Sequence, residues 1–161
     1  MITNYLAPTS FVVTVSRMPN VEFFTQRASI PALTMNPVSV QSPITTLYGT
    51  GDRVSYADFD LGFIVDERMN NYLEILRWIE GLGSPESTDQ YKKLEGTKDG
   101  TVSDISVVIH NSHKNPSIKM TLKNCFPVSL SSINLSVAAS DIQYPEATAT
   151  FRYDTFEIEQ I

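Results

Sequence analysis

Cysteine is nearly absent: Cys125 is the only one in 161 residues. A disulfide framework is therefore excluded, as is a zinc site built on paired cysteines. Basic residues are also in deficit. Lys and Arg number 12 against 18 Asp and Glu, for a net charge of −6. Gripping a phosphate backbone needs cationic counter-charge, so nucleic-acid binding is disfavoured. No apolar run approaches the ~20 residues that span a bilayer as a helix, and no membrane insertion is expected. The opening Met1-Ile2-Thr3-Asn4-Tyr5-Leu6-Ala7-Pro8 has neither the basic nor the apolar stretch of a secretory signal. The sequon Asn134-Leu135-Ser136 accordingly carries little weight. At 19% the charged fraction is too low for a disordered chain, and at 42% the hydrophobic fraction can fill a core. With no internal repeat or linker, a single domain over residues 1–161 is expected.

What the sequence has in abundance is alternation. Phe11, Val13 and Val15 take every second place in their segment, as do Phe59, Leu61, Phe63 and Val65. The same period recurs in Ile105, Val107 and Ile109, in Ile118, Met120 and Leu122, in Ile133, Leu135 and Val137, and in Ala149, Phe151 and Tyr153. A period of two with one apolar face predicts half-buried antiparallel strands. After Tyr153 the apolar positions switch phase to Phe156 and Ile158, which predicts a bulge or bend near Asp154-Thr155.

One segment follows a different period. Met69, Tyr72, Leu73, Leu76 and Ile79, extended by Ile75 and Trp78, form a helical stripe. Asp66 is the expected N-cap, and Gly81 or Gly83 followed by Pro85 the expected stop, placing the helix at about residues 66–82 across a sheet opening or end. Residues 83–102 read as a polar loop with a short helical turn around Tyr91. Residues 41–53 read as an exposed arm or long hairpin, in which Leu47 and Tyr48 are apolar amid polar neighbours.

Catalytic constellations are hard to assemble. His110 and His113 are three apart at a strand end, a spacing that does not bring both rings to one face, and no third ligand lies nearby. Asp58 and Asp60 share a strand face about 7 Å apart, which fits a solvated face better than an acid/base pair. Gly49-Thr50-Gly51 lacks the rest of a nucleotide-binding loop, and Ser131-Ser132 lacks a nucleophile elbow. Cys125 reads as a buried structural thiol, Lys92-Lys93 as part of a solvated loop, and Tyr72 and Trp78 as core. No catalytic residue, cofactor site or metal site is assigned, and an enzyme is not expected.

Three groups of residues carry a resemblance. Phe126-Pro127-Val128-Ser129-Leu130-Ser131-Ser132 is followed by a short strand predicted at residues 133–139, a polar Asp141-Ile142-Gln143 turn and a long final strand from Glu146. Gly51-Asp52-Arg53 leads into Tyr56-Ala57-Asp58-Phe59-Asp60-Leu61-Gly62-Phe63-Ile64-Val65-Asp66-Glu67 and a helix bearing Trp78. Pro8-Thr9-Ser10-Phe11-Val12-Val13 opens the chain, with Ala28-Ser29-Ile30-Pro31-Ala32-Leu33 after it. In order and spacing these segments resemble the tail tube protein family of contractile-tailed bacteriophages, related to the tube proteins of contractile injection systems and type VI secretion.

The resemblance implies a mainly β, antiparallel sandwich or barrel-like tail-tube fold with one flanking helix. Six copies would form a ring, and rings would stack into a hollow inner tube through which DNA passes without specific binding. Six copies at −6 each would carry −36 per ring, a charge that repels phosphate. Asp58, Asp60 and Asp104 are candidates for the polar face lining the channel, although Lys119 and Lys123 define a second polar face. The arm, with Leu47, Tyr48, Asp52 and Arg53, is the candidate contact between rings or subunits. Implied partners are further copies of the chain, the tail sheath, the tape measure and the baseplate or hub. The implied location is the phage tail, assembled in the host cytoplasm. Two alternatives stand beside this one: a single-ring tube initiator or terminator, and a small monomeric β-barrel that binds a ligand or peptide.

Overall fold

In the computed structural model the described residues are 5–6, 8–22, 24–83, 88–95, 100–137 and 144–161. The alternating segments form β1 (Phe11–Val15), β7 (Phe59–Ile64), β8 (Ser103–His110), β9 (Pro116–Leu130), β10 (Glu146–Arg152) and β11 (Thr155–Gln160). Between β1 and β7 lie a single helical turn, α1 (Pro19–Glu22), and five short strands: β2 (Thr25–Ala28), β3 (Leu33–Met35), β4 (Val38–Gln41), β5 (Thr46–Gly49) and β6 (Val54–Tyr56). The flanking helix is α2 (Asn70–Gly83), followed by the two-turn α3 (Thr88–Glu95) where the sequence predicts one turn around Tyr91.

The main sheet is antiparallel, in the order β1-β8-β9-β10-β7-β2, with β11 also on β9. The 15-residue β9 holds it together. Its first half pairs with β8 on one side and β11 on the other, and its second half pairs with β10. Between the halves Asn124 adopts a positive φ of 56°, and the buried positions change phase from Met120 and Leu122 to Cys125 and Pro127. Asparagine tolerates this conformation better than most residues, and the extra residue of a bulge turns the strand. The partner breaks at the same level. β10 stops at Arg152, Asp154 N–H donates to the Lys123 carbonyl at 3.1 Å, and β11 resumes at Thr155, where the phase switch predicts a bend. Two adjacent strands thus bend together and fold one sheet into two packed layers. Pro127, with no N–H to donate, sits beside a second irregularity in the β9–β10 ladder, where Val128 is skipped.

The inward residues meet between the layers. Phe59, Leu61, Phe63, Ile105, Val107, Met120, Leu122, Ala149 and Phe151 are all buried, with Val13, Val15, Met18 and Val21 from the N-terminal elements. The second half of β9 has a strand on one side only, and α2 packs beside it. Trp78 Nε1–H donates to the Thr101 carbonyl at 3.0 Å, Tyr72 O–H to the Ser131 carbonyl at 3.2 Å, and the Trp78 ring meets Phe151. The helix therefore closes the layer where β8 ends.

The helix begins four residues later than the sequence predicts, and its buried face is rotated. Asp66 does not cap it; its carboxylate accepts from Asn70 Nδ2 instead. The fully buried Asn71 secures the entry. Its Nδ2–H donates to the Ile64 carbonyl at 2.8 Å, and its Oδ1 accepts from the N–H groups of Tyr72 and Asp66. A satisfied amide can face a core that an unpaired one could not. Asn71, Ile75, Trp78 and Gly81 are therefore the buried set, while Met69 stays exposed.

The strand predicted at residues 133–139 is corrected. Residues 131–136 run without a ladder, and Leu135 and Val137 are exposed. Alternation needs a partner strand to become sheet, and the described residues provide none here. Ala139, the Asp141-Ile142-Gln143 turn and Pro85 lie outside the described residues. Asn71→Ala should destabilise the fold by about 3 kcal/mol, because it strands two buried N–H groups and a carbonyl. A chemical denaturation midpoint unchanged from the parent would contradict this role for the side chain.

Candidate functional site: open sheet edges and an exposed ribbon

The candidate arm is longer than the sequence indicates. β4 and β5 form an outer tier, with Val40 opposite Leu47 and Ser39 opposite Tyr48. β3 and β6 form an inner tier, with Leu33 opposite Tyr56 and Met35 opposite Val54. Together they make a two-tier ribbon from Leu33 to Tyr56. Gly51 makes the junction: a Cβ there would lie 1.9 Å from the Asn36 carbonyl oxygen, so no other residue fits. Asp52 and Arg53 are exposed at this junction.

Leu47 and Tyr48 are neighbours on one strand and so point to opposite faces. Leu47 shares its face with Val38 and Val40; Tyr48 shares the other with Ser39. Both faces meet solvent: Ile44 at the tip is 95% exposed, and Tyr48, towards the junction, 74%. Leu33, Met35, Val38, Val40, Leu47 and Val54 are also exposed. A two-stranded ribbon carrying this much uncovered apolar surface is marginal alone, which keeps it the candidate contact surface.

The ribbon is fixed at its base. Tyr56 packs edge-on against Tyr153 and Phe156, with centroids at 6.0 and 5.7 Å. Tyr153 O–H donates to the Ala57 carbonyl at 2.7 Å, and Ala57 N–H to the Ala32 carbonyl at 3.0 Å. Burial, with Asp58 nearby, pushes the Tyr153 phenol above its ordinary pKa.

The main sheet carries the second kind of candidate surface. Among the described residues β1, β2 and β11 each have a ladder partner on one side only, and β1 and β2 approach each other without forming a ladder. β11 is the most developed of these edges, running six residues beside β9. Its acidic residues are matched by β9: Glu157 bonds Lys123 at 2.9 Å, and Glu159 is the register partner of Lys119. The Glu157 contact raises the Lys123 pKa. This is the second polar face.

The three candidate channel-lining aspartates do not form one group. Asp58 and Asp60 lie together at β7. Asp58 Oδ1 pairs with Arg152 Nε at 2.9 Å, and Asp60 Oδ1 accepts from Thr150 Oγ1 at 2.8 Å. Arg27 lies over Gly62, where a Cβ would approach its side chain to 3.3 Å, and its Nη2 reaches Thr148 Oγ1 at 3.4 Å. With the exposed Glu146 on the same face of β10, three acids stand against two arginines here. Asp104 lies at the β8–β9 bend, where its Oδ1 accepts from Asn124 N–H at 3.0 Å. Asn124 Nδ2–H also donates to Asp154 Oδ2 at 2.7 Å, so Asp104 belongs to the polar pins that hold the bend.

The residues set aside on chemical grounds are placed as follows. His110 ends β8, and His113 lies in the turn whose N–H groups Asn111 Oδ1 accepts. Cys125 is fully buried, and desolvation pushes its thiol up to about 12. Among the described residues no helix is long and apolar enough to cross a membrane.

A sequence profile for phage tail tube proteins matches residues 4–159, nearly the whole chain. The chain belongs to the phage tail tube protein family. Its role is thus that of a structural tube protein rather than an enzyme. No curated protein matches this tail tube sequence. Solved structures share the fold at low identity. The tube-terminating cap of the anti-feeding prophage has a TM-score of 0.71 at 14% identity, covering 100% of this chain and 95% of that one. A chain of the anti-feeding prophage baseplate gives 0.68 at 17% identity, covering 99% and 97%. A chain of the PVC sheath-tube complex, from an extracellular contractile injection system in its extended state, gives 0.63 at 13% identity, covering 99% and 95%.

Two outcomes are expected for this tail tube protein. Tyr56→Ala should speed amide exchange across residues 33–56 by roughly thirtyfold, since its two aromatic pairs contribute about 1 kcal/mol each, while the main sheet keeps its protection. Uniform change across the chain would show that Tyr56 does not anchor the ribbon specifically. Cys125 should also make the fold alkali-sensitive. The unfolded thiol ionises near 9 and the folded one near 12, so its contribution is intact below pH 9 and is lost as pH rises toward 12. Cys125→Ala should flatten that part of the stability profile; an unchanged slope in urea titrations at pH 8–10.5 would contradict it.

Proposed function

We propose that this chain forms rings of six copies that stack into the hollow inner tube of a contractile tail. The observation that carries the reading is the combination of one-sided strands with an apolar ribbon exposed on both faces. An open edge is an aggregation hazard in a monomer. In a ring, each edge is completed by the next copy, and a head-to-tail contact that closes leaves no edge free. Within this reading β11 and the β1/β2 side meet between neighbours, and Leu47, Tyr48, Asp52 and Arg53 make the contact between rings.

The channel wall in this proposal is the outward face of β7 and β10. Asp58, Asp60, Thr148, Thr150 and Arg152 present a polar surface on which both arginines, Arg27 and Arg152, are already engaged. Asp104 is assigned to the bend instead of the wall. On this face the acids Asp58, Asp60 and Glu146 outnumber the arginines and Asp58 pairs with Arg152, so passing DNA is repelled more than it is held. The sheath outside, the baseplate hub at one end and the tape measure within are the proposed partners, with assembly in the host cytoplasm before incorporation into the phage tail.

Electron microscopy of the purified chain at high concentration tests the proposal. Stacked tubes support the repeating tube subunit. Rings that stop at one layer, even with sheath and baseplate proteins present, indicate an initiator or terminator ring. A monomer under all these conditions contradicts both and favours a monomeric binding module. Leu47→Asp with Tyr48→Asp should preserve the circular dichroism spectrum and the rings while abolishing stacking. Tubes of unchanged length would remove the ribbon from the inter-ring contact.

A further inference from the structure

We propose that the ribbons of stacked copies overlap like shingles: the apolar side of one ribbon's outer tier covers the apolar side of the inner tier of a copy in the next ring. The inference rests on the ring-and-tube reading and names the surface that receives the ribbon, which is another ribbon. Residues 24–83 are described without a gap, so the ribbon is complete from base to tip. Each tier has one apolar and one polar side. In the inner tier Leu33 faces Tyr56 and Met35 faces Val54, while Thr34 and Ser55 take the other side. In the outer tier Val38, Val40 and Leu47 share one side, and Ser39, Gln41, Thr46 and Tyr48 the other. Every one of these apolar side chains is 40–59% exposed.

Three features identify the occupant as a second copy. First, the two apolar sides look in opposite directions. The apolar positions are odd-numbered in β3, at Leu33 and Met35, and even-numbered in β4, at Val38 and Val40, with only Asn36-Pro37 between. A residue before proline is held extended, and the φ of proline suits an extended chain, so alternation continues through the pair. β3 and β4 therefore turn their apolar side chains to opposite faces of the ribbon. The return strand shows the same switch, from Leu47 to Val54 and Tyr56. Copies stacked head to tail keep one orientation, so a face can meet only a face that looks the other way. Outer tier against inner tier is such a pair.

Second, charge does not oppose the contact. Asp52 and Arg53 are the only charged residues between Leu33 and Tyr56, and both lie in the junction outside the strands of either tier. Covering the apolar sides therefore buries no charge. Third, the area fits a ring better than a pair. One overlap hides roughly 600 Å2, short of the ~1,200 Å2 at which stable two-chain interfaces begin, whereas the six overlaps between two rings together pass it. A free subunit gains too little to dimerise through its ribbon. A closed ring offers all its ribbons at once, so each contact raises the effective concentration of the next. Ring closure thus precedes stacking.

Cross-linking in assembled tubes tests this. Val40→Cys chains and Met35→Cys chains, co-assembled and treated with a short bis-maleimide, should give covalent dimers from tubes and none from dilute subunits. Each variant alone should give none, and the buried Cys125 does not contribute. In parallel, Met35→Lys or Val40→Asp should each abolish stacking while preserving the circular dichroism spectrum. Both changes in one chain should restore it, because each overlap brings the Val40 site of one copy onto the Met35 site of the next. Tubes that form without the cross-link overturn the overlap while leaving the tube reading intact. So does a double variant that stacks no better than either single one. Parent rings that never stack overturn the overlap and leave the ring standing. A parent chain that forms no rings overturns the tube reading, and this inference with it.

Discussion

A β-strand is stable only when the N–H and C=O groups along both its edges have partners, and this constraint shapes the molecule. The ladders converge on β9, which pairs with β8, β10 and β11. Because β9 bends at Asn124 and its partner breaks at Asp154, one sheet becomes two layers with a core between them. The polar pins Asp104, Asn124 and Asp154 sit at that bend, and α2 covers the half of β9 that β8 leaves bare. Among the described residues, β1, β2, β11 and both sides of the ribbon keep an edge without a ladder partner.

The same accounting separates what serves stability from what serves assembly. Two outward charge pairs are closed within the chain. Lys123 bonds Glu157, Arg152 bonds Asp58, and such exposed pairs contribute little to folding. They leave polar, non-adhesive faces. The uncovered apolar surface lies elsewhere, on the ribbon. A monomer would gain nothing from holding Ile44 and Tyr48 in water, whereas a subunit that meets copies of itself recovers that burial on contact. Membership of the tail tube family and this distribution of surface lead to the same reading.

Much of the fold was legible because burial imposes a period. The strands containing Phe11, Phe59, Ile105, Ile118 and Ala149 follow the predicted phase, and the switch after Tyr153 marks a real break. The start of α2 was hidden because Asp66 looks like a cap, while the residue that secures the entry, Asn71, acts through three tertiary hydrogen bonds. Leu73 and Leu76 belong to the predicted stripe but only half bury, since Asn71 and Gly81 take places on the buried face. The ribbon's outer tier was readable from Leu47 and Tyr48. Its inner tier was not, because strands of three residues leave too short a pattern. Ile133, Leu135 and Val137 show the limit from the other side: their alternation is genuine, but a strand requires a neighbour, and the described residues place none beside them. Asp58, Asp60 and Asp104 looked alike as outward acids, and only tertiary structure separates a sheet face from a bend.

The most direct measurement of the central claim is amide hydrogen exchange on the dilute subunit and on the assembled particle. If the open edges are completed by sibling chains, assembly should slow exchange in β11 and across residues 33–56, while β8 and β9, already paired on their own, change little. Assembled particles in which β11 and the ribbon exchange as fast as in the free subunit would contradict the account.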